Sequence, residues 1–294
     1  TDQEIRISSA DLDLSFDATK GDDWIIAGQI DGFDRPDLTI TRLSLDGSGN
    51  ISRVDTGTLF NFTTQFRADG LAPADPALAQ ALGPTVTGSA SGLWQEGTGN
   101  LEFSAFDLVA TGVDLTATGK IEGLSTGIAV TGQATAQLAD LARLSAIAGR
   151  PLAGSGNASL VGTASILGGT FDLKAAINGT DLRIGQAEVD ALLKGQSRVD
   201  ASVLRTETGT DLRNLVVTAA TLKATASGKI ASSGSEIVAE LNFADLSAMG
   251  RQYQGALTAK ATLTGTLQLG KIIFDGLGDS LSIGQAEADK LLRG

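Results

Sequence analysis

A strict alternation limits what this chain can become. In Ala256–Gly270, Leu257, Ala259, Ala261, Leu263, Leu267 and Leu269 share one parity, and Thr258, Lys260, Thr262, Thr264, Thr266 and Gln268 share the other. Side chains on an extended backbone point to alternate faces, so this stretch has one oily face and one wet face. The same period runs through Leu12–Ala18, Leu101–Ala105, Val113–Ile121, Phe171–Ala175 and Glu236–Phe243. It puts Leu12, Leu14, Phe16, Leu101, Phe103, Val113, Leu115, Phe171, Leu173, Ile237, Leu241 and Phe243 on the oily side with the leucines above. Strands of a parallel sheet are covered on both faces and read as apolar throughout, so one-sided strands predict antiparallel sheet. Turn text such as Asp46–Asn50, Glu96–Asn100 and Ser232–Ser235 separates the runs, and none of the five prolines interrupts a strong one.

Short helical phrases punctuate the strands. Ala74–Pro84 offers Asp75 as a cap, Pro76 in the first turn and Gly83 as a stop, with Leu78 on its apolar side. Gln137–Pro151 carries Leu138, Leu141, Leu144 and Ile147 on one stripe. Ile184–Gly195 groups Val189, Leu192 and Leu193, and its text IGQAEVDALLKG returns 99 residues later as IGQAEADKLLRG, with Leu291 on its apolar side. Phe243–Gly255 is a weaker fourth phrase. Each stripe is too short to stand alone and is expected to plug against an apolar sheet face. Strand text recurs as well: Leu108–Ile121 and Leu215–Ile230 both end in Gly-Lys-Ile. Repeating supersecondary units predict an array rather than a globule, in stretches 1–73, 74–151, 152–195 and 196–294 of one continuous groove. The opening TDQEIRIS enters directly on a strand without an initiator Met, as expected of a piece of a longer protein.

The residue types exclude much chemistry. The chain has no His and no Cys, which removes thiol nucleophiles, His-based triads and the usual zinc ligands. A net charge of −12 repels phosphate backbones and argues against nucleic acid as a partner. Gly265–Ile272 matches GxxxxGK in letters, but Ile272 stands where a Mg²⁺-binding hydroxyl belongs and the stretch alternates as a strand. Asp22–Asp23 reads as a solvated turn, and the sequons at Asn61, Asn157 and Asn178 carry no weight alone. The expectation is a protein with no enzymatic activity, no cofactor and no metal. A continuous oily face must nevertheless be covered or used. With 4% aromatics, neither a bulky sandwich core nor the girdles of a transmembrane barrel is expected, which leaves a trough that holds something oily.

Thr131–Ile166, with ADLARLSAIAGRPLAGSGN, Gly28–Arg53 and the Gly-Lys-Ile strand ends resemble the periplasmic repeat region of the TamB/AsmA-like family, in its alphaproteobacterial style. The resemblance covers essentially the whole chain through repeat phrases rather than a catalytic signature. It implies an elongated antiparallel sheet curled into a U-shaped hydrophobic groove, a β-taco with short interspersed helices. It also implies a periplasmic location in a protein anchored in the inner membrane by a segment outside this chain. The implied role is phospholipid transport between inner and outer membrane. The alternative is an assembly scaffold for outer-membrane β-barrel proteins, working with a BamA-type barrel, TamA.

Overall fold

The alternating runs become strands in a computed structural model that describes residues 5–20, 22–55, 57–123, 127–266, 270–285, 287, 289 and 290. The fold is mainly β, with antiparallel pairing throughout the described registers. Leu267, Leu269 and Leu291 lie outside the described residues. The chain divides into two compact units, Thr1–Gly149 with Ser165–Leu167, and Arg150–Ala164 with Gly168–Gly294. Of the four sequence-based stretches, the boundaries at 73 and 195 fall inside these units.

The first unit holds β1 (Arg6–Asp17), β2 (Asp23–Arg35), β3 (Leu38–Val54), β4 (Gly57–Asp69), the two-residue β5 (Ala72–Pro73), α1 (Pro76–Leu82), β6 (Thr85–Gln95), β7 (Asn100–Ala110), β8 (Val113–Glu122), β9 (Ala129–Leu138) and α2 (Ser145–Ala148). The long strands form a meander in chain order, with β4 paired to β6 and β5 folded back onto the start of β3. The second unit continues with β10 (Ala153–Ser165), β11 (Thr170–Arg183), α3 (Ala187–Leu192), β12 (Gln196–Thr206), β13 (Gly209–Thr218), β14 (Leu222–Ile230), β15 (Ser235–Phe243), β16 (Gln254–Gly265) and β17 (Gly270–Ser282), each strand again paired to the next.

Within each unit the helical turns gather at one end of the strands. In the first, α1 follows Asp69, whose register partner is Thr85, and the turn before α2 follows Leu138, the partner of Val113. The two are tied together by Gln80 Nε2 donating to the Ala142 carbonyl (3.4 Å). In the second, α3 joins β11 to β12, and a 3-10 turn at Leu246–Met249 joins β15 to β16.

Two local devices build these joints. In one, an Ala-Asp pair opens the turn. Asp75, Asp140 and Asp245 accept from the amides of Ala77, Ala142 and Ser247 at 2.8–2.9 Å, capping the first turn. The preceding alanines, Ala74, Ala139 and Ala244, donate their amides to the carbonyls of Asp37, Gly112 and Thr221 in neighbouring turns. In the other, Asp190 accepts from the Ile184 amide at 2.7 Å, and Asp289 accepts from the Ile283 amide at 2.7 Å. The duplicated phrase is therefore one hydrogen-bonded joint used twice: Ile and Asp, six residues apart, close the loop that takes the chain off a strand end.

Four sequence expectations are corrected. Asp46–Asn50 is not a turn but lies inside β3, paired residue by residue with β4, because Gly47 and Gly49 make room for the Ile26 and Trp24 side chains instead of bending the chain. Leu138 ends β9 rather than lying on a helical stripe, because Asp140 starts the helical turn only at Leu141. Gln137–Pro151 is not one helix but a 3-10 turn (Leu141–Leu144) and a single α-turn stopped by Gly149 at φ 64°, leaving Ile147 53% exposed. The alternation through Ala105 breaks at a bulge. β7 has one residue more than β8 between Phe103 and Phe106, so the apolar lane passes to Phe106 and Ala105 pairs with Ser91 on the polar side. β13 repeats the device between Leu212 and Leu215.

Candidate functional site: the apolar face of each unit

Register decides which side chains share a face. In the first unit, Phe16, Trp24 and Gly49 are cross-strand partners in sequence, as are Phe62 and Gly92, and then Phe103 across β6–β7. Following partners from β1 to β9 gives one apolar lane, with Thr64 set between Gly47 and Ala90. It carries Leu12, Leu14, Phe16, Trp24, Phe60, Phe62, Phe66, Trp94, Leu101, Phe103, Phe106, Val113, Leu115 and Leu138. Glycines make room for the rings. A Cβ added to Gly49 would lie 2.8 Å from Trp24 Cζ2, one on Gly88 2.5 Å from Phe66 Cζ, and one on Gly92 2.9 Å from Phe62 Cζ. The rings thus lie over cross-strand glycines and touch one another: Phe60 stacks on Trp94 (centroids 4.9 Å), and Phe62 meets Phe103 edge-on (6.2 Å).

The second unit builds its lane from smaller groups. Phe171 and Leu173 lie across from Arg205 and Val203. Ala226, Ala239, Ala261 and Phe274 are successive partners, as are Leu241, Ala259 and Gly276, and Ile237, Leu263 and Ile272. Phe243 and Leu257 complete it.

The opposite face is wet and self-satisfied. Asn61 donates to Asn50 (2.9 Å), Thr63 and Ser91 share a hydrogen bond (3.1 Å), and Arg42 pairs with Asp31 (2.8 Å), all between direct cross-strand partners. Hydrogen bonding to Arg67 holds the Asp69 carboxyl below the ordinary carboxylate range. Two concavities of about 510 and 680 Å³ lie across this face of the first unit, and among their lining residues Asn61 bonds Asn50, Thr63 bonds Ser91 and Ser89 donates to Asp107.

The apolar lane is partly covered, and unevenly so along its length. The described lane candidates from Leu101 to Leu263 are half-buried, whereas Leu12, Leu14 and Phe16 are exposed, Leu14 at 71%. No described large side chain is fully buried, and half of the ten buried apolar residues are alanines. The protein exposes 17827 Å², whereas two separate compact globules of half this mass would together expose about 14,000 Å². Among the helical candidates, Leu192 and Leu193 are buried (7% and 9%), Leu141, Leu144 and Val189 are half-buried, and Leu78 is 44% exposed. Buried Leu246, at the Asp245 joint, was not singled out by the sequence. Nor was the run Phe60, Phe62, Phe66 with Trp94, although its period of two is written in the text.

Gly265 and Gly270 pair across β16 and β17, and Lys271 lies on β17 opposite Thr264, which is strand pairing rather than a phosphate-binding curl. Among the described residues no group of three or more acidic side chains could hold a metal, and no helix is long and apolar enough to cross a membrane. Comparison with family models, with curated proteins and with solved structures finds no match to this chain.

Proposed function

We propose that this chain shelters the acyl chains of phospholipids on the apolar face of its sheet, as part of a periplasmic bridge carrying lipid from inner to outer membrane. The carrying observation is the lane itself, which runs strand after strand with its large side chains partly exposed in the middle strands and mostly exposed on β1 and β17. Each acyl methylene that leaves water for such a lane gains about 0.8 kcal/mol, so a chain of ordinary length has ample reason to stay. Family resemblance in the repeat phrases supports the same reading. Phospholipid recovered by mass spectrometry from the purified protein is the expected result. Leu263→Arg should leave the protein folded, because a half-buried position lets the long side chain reach water, and should reduce bound lipid. A folded variant with undiminished lipid refutes the reading.

A second reading rests on a separate observation. β1 and β17 are exposed along almost their whole length. Exposed apolar side chains along these strands, Leu14 and Leu277 among them, can pack against the apolar face of a partner strand, as an assembly scaffold for outer-membrane barrels requires. Cross-linking of a barrel-derived strand peptide to β1 or β17, without bound lipid, would favour it.

A further inference from the structure

We infer that Arg53 in the first unit, and Arg205 in the second, are seats for the anionic head of the amphiphile whose chain occupies the apolar lane. This rests on the lipid reading above. The arginines of the polar face are neutralised: Arg42 by Asp31, Arg67 by Asp69, Arg198 by Asp200 and Arg213 by Asp172. Arg53 and Arg205 are different. Register puts Arg53 on the parity of Ile51, opposite Thr58 and next to Phe60, and Arg205 opposite Phe171 and Thr210. Both therefore stand on the apolar side.

Both also stand at the same end of their strands, the hairpin-turn end, away from the helical joints. Both are exposed. Among the described residues Arg53 has no ion pair and no side-chain hydrogen bond, and Arg205 has only a 3.5 Å contact to the Thr210 hydroxyl. In a protein of net charge −12, two guanidinium groups at the rim of an oily face are left without carboxylates.

A guanidinium fork suits a phosphodiester, which it can hold by two parallel hydrogen bonds. The lengths agree. From Arg53 back to Leu43 the lane runs ten residues, about 33 Å of extended strand. The acyl chains of one leaflet span about half of a ~30 Å hydrocarbon core. A head held at Arg53 leaves its chains entirely over Ile51, Gly49, Gly47 and Leu45. The ligand is thus an amphiphile with an anionic head, and its neutral counterpart lacks the polar anchor.

Trp24 and Trp94 lie on this lane, so lipids brominated in the acyl chain report occupancy by quenching tryptophan fluorescence. The probes are brominated phosphatidylglycerol and brominated diacylglycerol, titrated onto the delipidated 294-residue chain. Wild type should be half-quenched by phosphatidylglycerol at a concentration roughly five- to tenfold below that for diacylglycerol, as for a charge-assisted contact. In Arg53→Gln the two probes should become equal, with the diacylglycerol midpoint unchanged, and Arg53→Lys should recover part of the difference. Arg205→Gln should leave the quenching untouched while lowering the phosphatidylglycerol retained per chain. A wild-type preference that survives intact in Arg53→Gln overturns the head-group seat and leaves the lipid reading standing. Absence of quenching by either probe in wild type overturns both.

Discussion

The apolar lanes of the two units solve one problem with different materials. The first lays eight aromatic rings (Phe16, Trp24, Phe60, Phe62, Phe66, Trp94, Phe103 and Phe106) along its lane, and cross-strand glycines lie beneath several of them. The second uses Val, Leu and rows of alanine, with Phe171, Phe243 and Phe274 as its rings. A ring over a glycine is held by contacts inside the sheet and leaves the backbone no room for another carbon. An alanine row brings smaller groups to the same face, with Ala259 buried and Ala226, Ala239 and Ala261 partly covered. The difference shows that a sheet face can be filled with rings or with small side chains without changing its polarity. The joints differ as well: α3 buries Leu192, whereas α1 leaves Leu78 44% exposed.

The largest expected effect is at the joints. Leu192→Asp should lower stability by about 2–5 kcal/mol, since it removes a packed leucine and buries a charge. Leu78→Asp should cost less than about 1 kcal/mol, as at an exposed site. Equal losses in urea unfolding would erase this contrast. Next comes the ring–glycine lane. Gly88→Val should cost about 1–3 kcal/mol, because its first added carbon already meets the Phe66 ring at 2.5 Å and the Asp107 carbonyl at 2.7 Å. Ala239→Val, on a half-buried alanine row, should stay within about 1 kcal/mol of wild type. If Ala239→Val proves as damaging, the second lane is packed as tightly as the first.

Smaller still is the loss of a joint carboxylate. Asp190→Ala removes the acceptor for the Ile184 amide and should cost about 1–2 kcal/mol, and Asp75→Ala about 1 kcal/mol. The smallest effect is in acid. Hydrogen bonds from Ser247 lower the Asp245 carboxyl below its ordinary 3.8, and the Arg67 guanidinium lowers Asp69 likewise. A carboxyl depressed in the folded state stabilises fully above its unfolded value, and the contribution is lost as pH falls through the folded one. Acid unfolding below pH 3.8 should therefore soften in Asp69→Asn and in Asp245→Asn. High salt should shrink the Asp69 difference and spare the Asp245 one, because ions screen an ion pair more than a cap. The same salt response at both positions would show that the distinction is wrong.

Much of this architecture is legible because period-two alternation is a local property. Leu257, Leu263 and Phe243 share a face for the same reason that they share a parity. Asp75, Pro76 and Gly83 announce α1 through their backbone preferences. The aromatic lane was harder to see, because a low overall aromatic content hid the concentration of rings within the first unit. The bulge at Phe103–Phe106 was invisible to parity counting, since one extra residue resets the phase without leaving a signature in the text. The repeated phrase was plain, but its purpose was not: Asp190 and Ile184 meet only when the chain turns back at the strand end.

The residues alone determined the strands and their oily side, because each follows from backbone geometry within a few positions. Which strands became neighbours, which rings came to rest on which glycines, and which arginines were left without carboxylates were decided by register. Register joins residues tens of positions apart, and a shift of one residue would send every one of them to the other face.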